Sequence, residues 1–183
     1  MTPLIIILAV VGVIALWLIA VFNGLIRSRN RVDEAWSDIE VQMKRRYDLI
    51  PNIINTVKGY AKHEEGVFTK VTQARTAAMG AKTPGEHAAA EGMLTETMKS
   101  LFAVSENYPA LKANENFLHL QKELVDTEDK IQASRRFYNG NVRDFNTKIQ
   151  VFPSNLIAGT MGFKKYDFFD APEGSEAVPE VKF

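Results

Sequence analysis

Glu115, His119 and Glu123 are the residues whose types and spacing come nearest to a chemical site. They are four residues apart in a predicted helix, so they share one face from which carboxylate and imidazole groups could ligate a metal. They flank the apolar stripe of that helix, and no Glu-x-x-His motif of the di-iron bundle type accompanies them. A solvated helix face is the interpretation we favour. Metal-dependent or enzymatic activity using these three residues is the alternative function.

The other candidate motifs are incomplete. The sequence HEEGV at His63 lacks the second histidine of the zincin motif. The absence of cysteine excludes a thiolate nucleophile, a disulfide and a cysteine-ligated metal site. There is no glycine-rich phosphate loop and no G-x-S-x-G elbow. We therefore assign no catalytic, cofactor-binding or metal residue and predict a protein that is not an enzyme. A net charge of zero gives no reason to expect nucleic-acid binding.

Charged clusters on the predicted helices are interpreted as bundle surface. This applies to Asp126, Glu128 and Asp129. In the basic run Lys44 to Arg46, however, Arg46 falls on an apolar stripe. An unpaired buried charge is costly, so Arg46 is predicted to pair with an acidic residue of another helix.

The first element is an uncharged apolar run, residues 3–22, long enough at 1.5 Å per residue to cross a bilayer core of about 30 Å. A cleaved signal peptide is the alternative, but no basic residue precedes the run and no small-x-small cleavage site follows it. We predict a retained transmembrane helix that contacts lipid through residues 4–24. Arg27, Arg29 and Arg31 follow it, so the positive-inside rule predicts an outside N-terminus and a cytoplasmic body.

Beyond the span, helical periodicity dominates the chain. One row with a seven-residue spacing contains Trp36, Met43, Ile50, Val57, Glu64, Val71 and Ala78, and a second contains Ile39, Arg46, Ile53, Tyr60, Val67 and Ala74. The rows predict one helix continuing from the span to about residue 81. Their phase does not slip at Pro51, so we expect a kink there rather than a break, although proline costs ~3 kcal/mol in a helix interior. A new helix capped by Asp48 is the alternative.

Three further helices are predicted. One covers residues 86–107, and the next covers 115–150 with Asn114 as its N-cap. Pro153 ends that helix, and Ser154 or Asn155 caps a short last one. The fold class is therefore all-α: an N-terminal transmembrane helix that continues into an antiparallel bundle of three long helices, plus a short C-terminal helix.

Three long stretches resemble the LemA family. They are RSRNRVDEAWSDIEVQMKRRYDLIPNIINTVKGYAKHE, YPALKANENFLHLQKELVDTEDKIQASRRFYN and VFPSNLIAG. The resemblance implies a bacterial protein with one N-terminal transmembrane helix, a small outside N-terminus and a helical body. It implies no catalytic residue, because the family has no accepted one.

The predicted domains are an anchor at residues 1–26, a LemA-like bundle at 27–170 and a disordered acidic tail at 171–183. We predict a structural or protein-interaction role at the inner membrane, with an unknown protein partner or a second copy of the chain. Phe137 and Tyr138 are adjacent and cannot share one helix face. One is therefore predicted in the core, and the other is available to a partner.

Overall fold

The protein is described by a computed structural model that covers residues 2–169, with side chains from Pro3 onward. The helices are α1 (Thr2–Lys58), α2 (Glu65–Gly80), α3 (Pro84–Glu106), α4 (Pro109–Lys112), α5 (Glu115–Lys148) and α6 (Ser154–Thr160). No strand occurs among these described residues. The predicted all-α fold, with its long N-terminal helix and short C-terminal one, is confirmed. The predicted disordered tail, residues 171–183, lies outside the described residues.

Two compact units make up the described chain, and α1 and α5 contribute to both. The anchor unit contains the chain up to Asp38 together with Arg136–Asp167. The bundle unit contains Ile39–Arg135 together with Phe168 and Phe169. The predicted division into residues 1–26, 27–170 and 171–183 stays a prediction.

The first third of α1 is long and apolar enough to cross a membrane. Every described side chain from Pro3 to Ala20 is exposed, although most are large and apolar. Burial begins only further along the helix, at Leu25, Val32 and Ala35. An exposed apolar segment of this length is what a bilayer, rather than water, would stabilise.

Pro51 lies inside α1, and Ile50 and Ile53 on either side of it are fully buried. The predicted continuity of the helix through this proline is confirmed, while the kink stays a prediction. The predicted extension to residue 81 is wrong, because α1 ends at Lys58 and residues 59–64 form a turn before α2. The seven-residue spacing survives this turn and so conceals it. Gly59, a poor helix former, is the local signal that the periodicity outweighed.

Local capping chemistry explains where α3 and α5 begin. Thr83 and Glu86 form a reciprocal capping box, with Pro84 at the first helical position of α3. Asn114 Oδ1 accepts the Phe117 backbone N–H at 3.0 Å, which confirms the predicted cap of α5. The short helix α4 between them was not predicted.

The beginning of α6 differs in its cap. Pro153 occupies the N-cap position and no side chain caps the helix, so the predicted cap by Ser154 or Asn155 is wrong. The Ser154 hydroxyl instead donates to the backbone carbonyls of Lys148 and Val151, at 2.6 and 2.9 Å. It therefore ties α6 to the end of α5 rather than closing its own first turn.

Candidate functional site

Arg46 occupies a core position of α1. In the bundle unit, the buried residues of this helix follow the alternating four-and-three spacing of a coiled-coil seam: Ile39, Met43, Arg46, Ile50, Ile53 and Val57. Arg46 is only 2% exposed. Its guanidinium must therefore find partners inside the bundle, because an unpaired buried charge is strongly destabilising.

A second seam with the same spacing runs along α3. Its buried members are His87, Glu91, Leu94, Met98, Leu101 and Ser105. Neither His87 nor Glu91 was predicted to have a role. The signal that could have found them is their spacing of seven and three residues from Leu94, which puts both polar side chains on the apolar face of α3.

Arg46 joins α1 to both α3 and α5. Its Nη1 lies 2.5 Å from Glu91 Oε2, and its Nη2 lies 2.8 Å from Glu128 Oε1. Nη2 also donates to Thr95 Oγ1 at 2.9 Å. The Tyr47 hydroxyl donates to the other carboxylate oxygen of Glu91, Oε1. These five residues form a buried polar cluster on three helices, which we call the Arg46 cluster.

The Arg46 cluster settles two predictions. The pairing of Arg46 with acidic side chains of other helices is confirmed. The assignment of Glu128 to a surface acidic group with Asp126 and Asp129 is wrong for Glu128. Its carboxylate contacts the buried guanidinium, while Asp126 and Asp129 are exposed.

Burial governs the protonation of this cluster. It raises the pKa of the Tyr47 hydroxyl, and the hydrogen bond to Glu91 raises it further, so Tyr47 stays a neutral donor. Burial also raises the pKa of the Glu128 carboxyl, an effect that Arg46 opposes. Arg135 opposes it as well. The cluster itself thus holds one arginine against two glutamates, and Arg135 adds a second positive charge near Glu128.

The geometry suits a structural role. A cleft of about 250 Å³ borders the cluster, below the 300–1,000 Å³ typical of ligand pockets. The Tyr47 hydroxyl, which donates to the Glu91 carboxylate, is held protonated rather than activated. What the cluster can do is fix the axial register of three helices, because a shift of one turn would leave a buried charge without its partner.

Pro51 contributes a second link within the bundle unit. Proline has no N–H, so the carbonyl of Tyr47, four residues earlier, loses its normal helical donor. Arg75 Nε, on α2, donates to that carbonyl at 2.7 Å. The proline therefore creates an acceptor on α1 that another helix uses.

The proposed metal triad is not assembled as a site. Glu115 and His119 are exposed on α5, and Glu123 Oε2 pairs with Arg45 Nη2 at 2.5 Å. The hydrogen bond from Arg45 lowers the pKa of Glu123. Residues 2–169 contain no group of three or more His, Asp or Glu side chains able to hold a metal. His63 is exposed in the turn after α1.

Phe137 and Tyr138 divide between surface and core as predicted. Tyr138 is 2% exposed, and its hydroxyl donates to the Asp167 carbonyl at 2.8 Å. Its ring lies 5.3 Å from the ring of Trp36. Phe137 is 58% exposed and is therefore the surface member of the pair.

Lys148 secures the end of α5 to α1 in the anchor unit. Its Nζ donates to the Gly24 carbonyl at 2.6 Å and to Ser28 Oγ at 3.0 Å. A Cβ at position 24 would lie 3.1 Å from this Nζ, so glycine allows the close approach. Burial lowers the pKa of Lys148, and the charges of Arg27 and Arg31 lower it further.

These features define an all-α bundle protein with an N-terminal helix able to span a membrane and an internal ion-pair cluster that links its helices. Residues 35–183 match the LemA family, and the chain belongs to that family. The resemblance noted in the sequence is thereby confirmed.

Several relatives cover most of the chain. Protein LemA of Metamycoplasma hominis is 29% identical over 155 residues, which span 82% of this chain and 69% of that protein. Magnetosome protein MamQ 2 of Paramagnetospirillum magneticum is 25% identical over 199 residues, or 94% of this chain and 73% of that protein. Magnetosome protein MamQ of Magnetospirillum gryphiswaldense is 23% identical over 184 residues, with shares of 86% and 68%.

Proposed function

We propose that the protein is a membrane-anchored interaction protein of the bacterial inner membrane, with a short N-terminus outside and the helical body in the cytoplasm. The observation that carries this proposal is the continuity of α1. A single helix, Thr2–Lys58, contains both the exposed apolar segment and the buried seam of the bundle unit. The exposed apolar segment and a buried core face thus belong to one uninterrupted helix.

The charge distribution supports the orientation. Arg27, Arg29 and Arg31 follow the apolar segment, and no charged side chain occurs between it and Met1. Basic residues close to a span favour the cytoplasmic side. The contacts of the Arg46 cluster support a non-enzymatic role, since its charges are used in pairing helices.

The orientation is testable because the protein contains no cysteine. Single cysteines placed at Thr2 and at the exposed Asp126 would be treated with a membrane-impermeant maleimide in intact spheroplasts and after permeabilisation. We expect Thr2→Cys to react in both states and Asp126→Cys only after permeabilisation. Reaction of Asp126→Cys in intact spheroplasts would show that the helical body lies outside and would refute the proposed orientation. Extraction of the protein by carbonate would refute the anchor itself.

Phe137 is the proposed partner contact, and a second copy of this chain is one candidate partner. Its exposed ring is the type of side chain that interfaces favour. A photoreactive phenylalanine analogue at position 137 is expected to give a crosslinked species of fixed mass in membranes. The same analogue at the exposed Arg143, six residues further along α5 and so about 120° around the helix, is the control. Monomer alone at both positions would refute a contact at Phe137.

A further inference from the structure

An exposed apolar patch lies on the segment that connects α5 to α6 and on α6 itself. Val151 is 48% exposed, Phe152 78%, Leu156 61% and Met161 62%. Four large apolar side chains within eleven residues are unusual on a water-exposed surface, and such patches mark interaction sites. We call these four residues the α6 patch.

The opposite face of α6 is fixed against the end of the apolar segment of α1. Ile157 and Ala158 are buried against Leu25, and Val21 packs on the same cluster. Further along the chain, the Phe163 ring lies 6.3 Å from that of Phe22. The helix thus has one face packed on α1 and another without apolar cover, all within the anchor unit.

The position along α1 sets the depth of the patch. Val151 and Phe152 line a groove of about 470 Å³ whose α1 wall includes Trp17 and Gly24. Trp17 lies five residues before Phe22, a rise of about 7.5 Å along the helix. If residues 3–22 cross the bilayer core, side chains beside Trp17 must lie below the bilayer surface.

The two chain segments that meet at the patch carry only basic charges, and the acidic residues Asp33, Asp144 and Asp167 lie just outside them. Residues 3–32 and 145–166 contain no Asp or Glu. They contain the basic side chains Arg27, Arg29, Arg31, Lys148, Lys164 and Lys165. Lysines and arginines near an anionic membrane surface are attracted to it. Apolar side chains bordered by basic ones are the pattern of a segment that lies in the membrane interface.

We infer that the α6 patch inserts into the interface of an anionic phospholipid bilayer, as a second membrane contact beside the span. The inference rests on the proposed anchor, because the depth of the patch is set by the span. Lipid is the occupant we favour over a protein, since Val151 and Phe152 of the patch share a groove with Trp17 and Ala20 of the exposed apolar segment of α1.

Fluorescent labels on single cysteines test this in the full chain reconstituted into phosphatidylcholine vesicles with and without phosphatidylglycerol. Phe152→Cys and Leu156→Cys are the test positions. Val13→Cys is the control within the span, and Asp144→Cys, 74% exposed on α5, is the aqueous control. Brominated lipids are expected to quench both test labels several-fold more than the Asp144 label, and more strongly with phosphatidylglycerol. Replacement of both Lys164 and Lys165 by Gln should remove the phosphatidylglycerol effect.

The controls separate the possible failures. A Val13 label that lipid does not quench would refute the anchor. A quenched Val13 label with Phe152 and Leu156 labels that behave like Asp144 would overturn the inference alone. Labels at Phe152 and Leu156 that are shielded from aqueous iodide but not quenched by lipid would show a protein on the patch, which also overturns it. Equal quenching with and without phosphatidylglycerol would overturn the requirement for anionic lipid.

Discussion

Replacing Arg46 by methionine should be among the most destabilising single changes in the bundle unit. The substitution keeps the volume of the stem but leaves Glu91, 5% exposed, without its cationic partner. Removal of one member of a buried ion pair typically costs 3–5 kcal/mol, because the remaining charge stays buried and unpaired. For a chain of this size, 1 kcal/mol shifts the unfolding midpoint by about 2–4 °C. We expect the midpoint to fall by roughly 6–20 °C.

Arg45 supplies a matched control one residue away. It has the same side chain and also pairs with a glutamate of α5, but both partners of the Arg45–Glu123 pair are substantially exposed. Exposed ion pairs contribute little to stability. Arg45→Met should therefore leave the unfolding midpoint nearly unchanged. Both variants would be unfolded by heat and by urea in detergent as the full chain, with circular dichroism at 222 nm as the signal.

A combined replacement tests the physical reason. Arg46→Met, Tyr47→Phe and Glu91→Leu together remove both charges of the fully buried Arg46–Glu91 pair and the hydroxyl that would lose its acceptor. Glu128, the other partner of Arg46, is 31% exposed and can be solvated without it. Apolar replacement of a whole buried ion pair is often neutral or stabilising, so the triple variant should regain at least half of the loss. Equal losses in Arg46→Met and Arg45→Met, or a triple variant less stable than Arg46→Met, would refute the reasoning.

Three other predictions concern single contacts. Arg75→Ala should lower the free energy of unfolding less in a Pro51→Ala background than in the wild type, because the N–H of the new alanine would donate to the Tyr47 carbonyl in place of Arg75. A double-mutant cycle that shows no coupling would contradict this. Asn114→Ala should cost about 0.5–2 kcal/mol of unfolding free energy and Asn114→Asp much less, since aspartate keeps the capping oxygen. Burial raises the pKa of Tyr138 from 10.0 to about 12, so its neutral form is favoured in the folded protein. The raised pKa contributes at most about 2.7 kcal/mol to the free energy of unfolding, in full below pH 10, and this contribution is lost as the pH rises towards 12. Tyr138→Phe should therefore flatten this part of the pH profile of urea unfolding. An unchanged profile would contradict the prediction.

Helical periodicity made most elements of the fold predictable. A repeat of 3.5 to 3.6 residues is a property of one helix and needs no knowledge of its neighbours. It placed Pro51 inside α1 and predicted that only one of Phe137 and Tyr138 lies in the core. The structure showed that the buried one is Tyr138. The same signal failed at residues 59–64, because a turn that preserves the spacing is invisible to a test of spacing alone.

The sequence could not identify which side chains pair with one another across the helices. The position of Arg46 on an apolar stripe required an acidic partner. Its partners Glu91 and Glu128 are 45 and 82 residues further along the chain. Which acidic side chain contacts the guanidinium depends on how the helices are shifted along one another, and the sequence does not show this. The same holds for the Arg75 donor to the Tyr47 carbonyl. The sequence by itself determined a segment long and apolar enough to span a membrane, an all-α body and the need for a buried ion pair. Only the tertiary structure decided which side chains satisfy that need and that α6 lies beside the end of the span, because both depend on contacts between elements far apart in the chain.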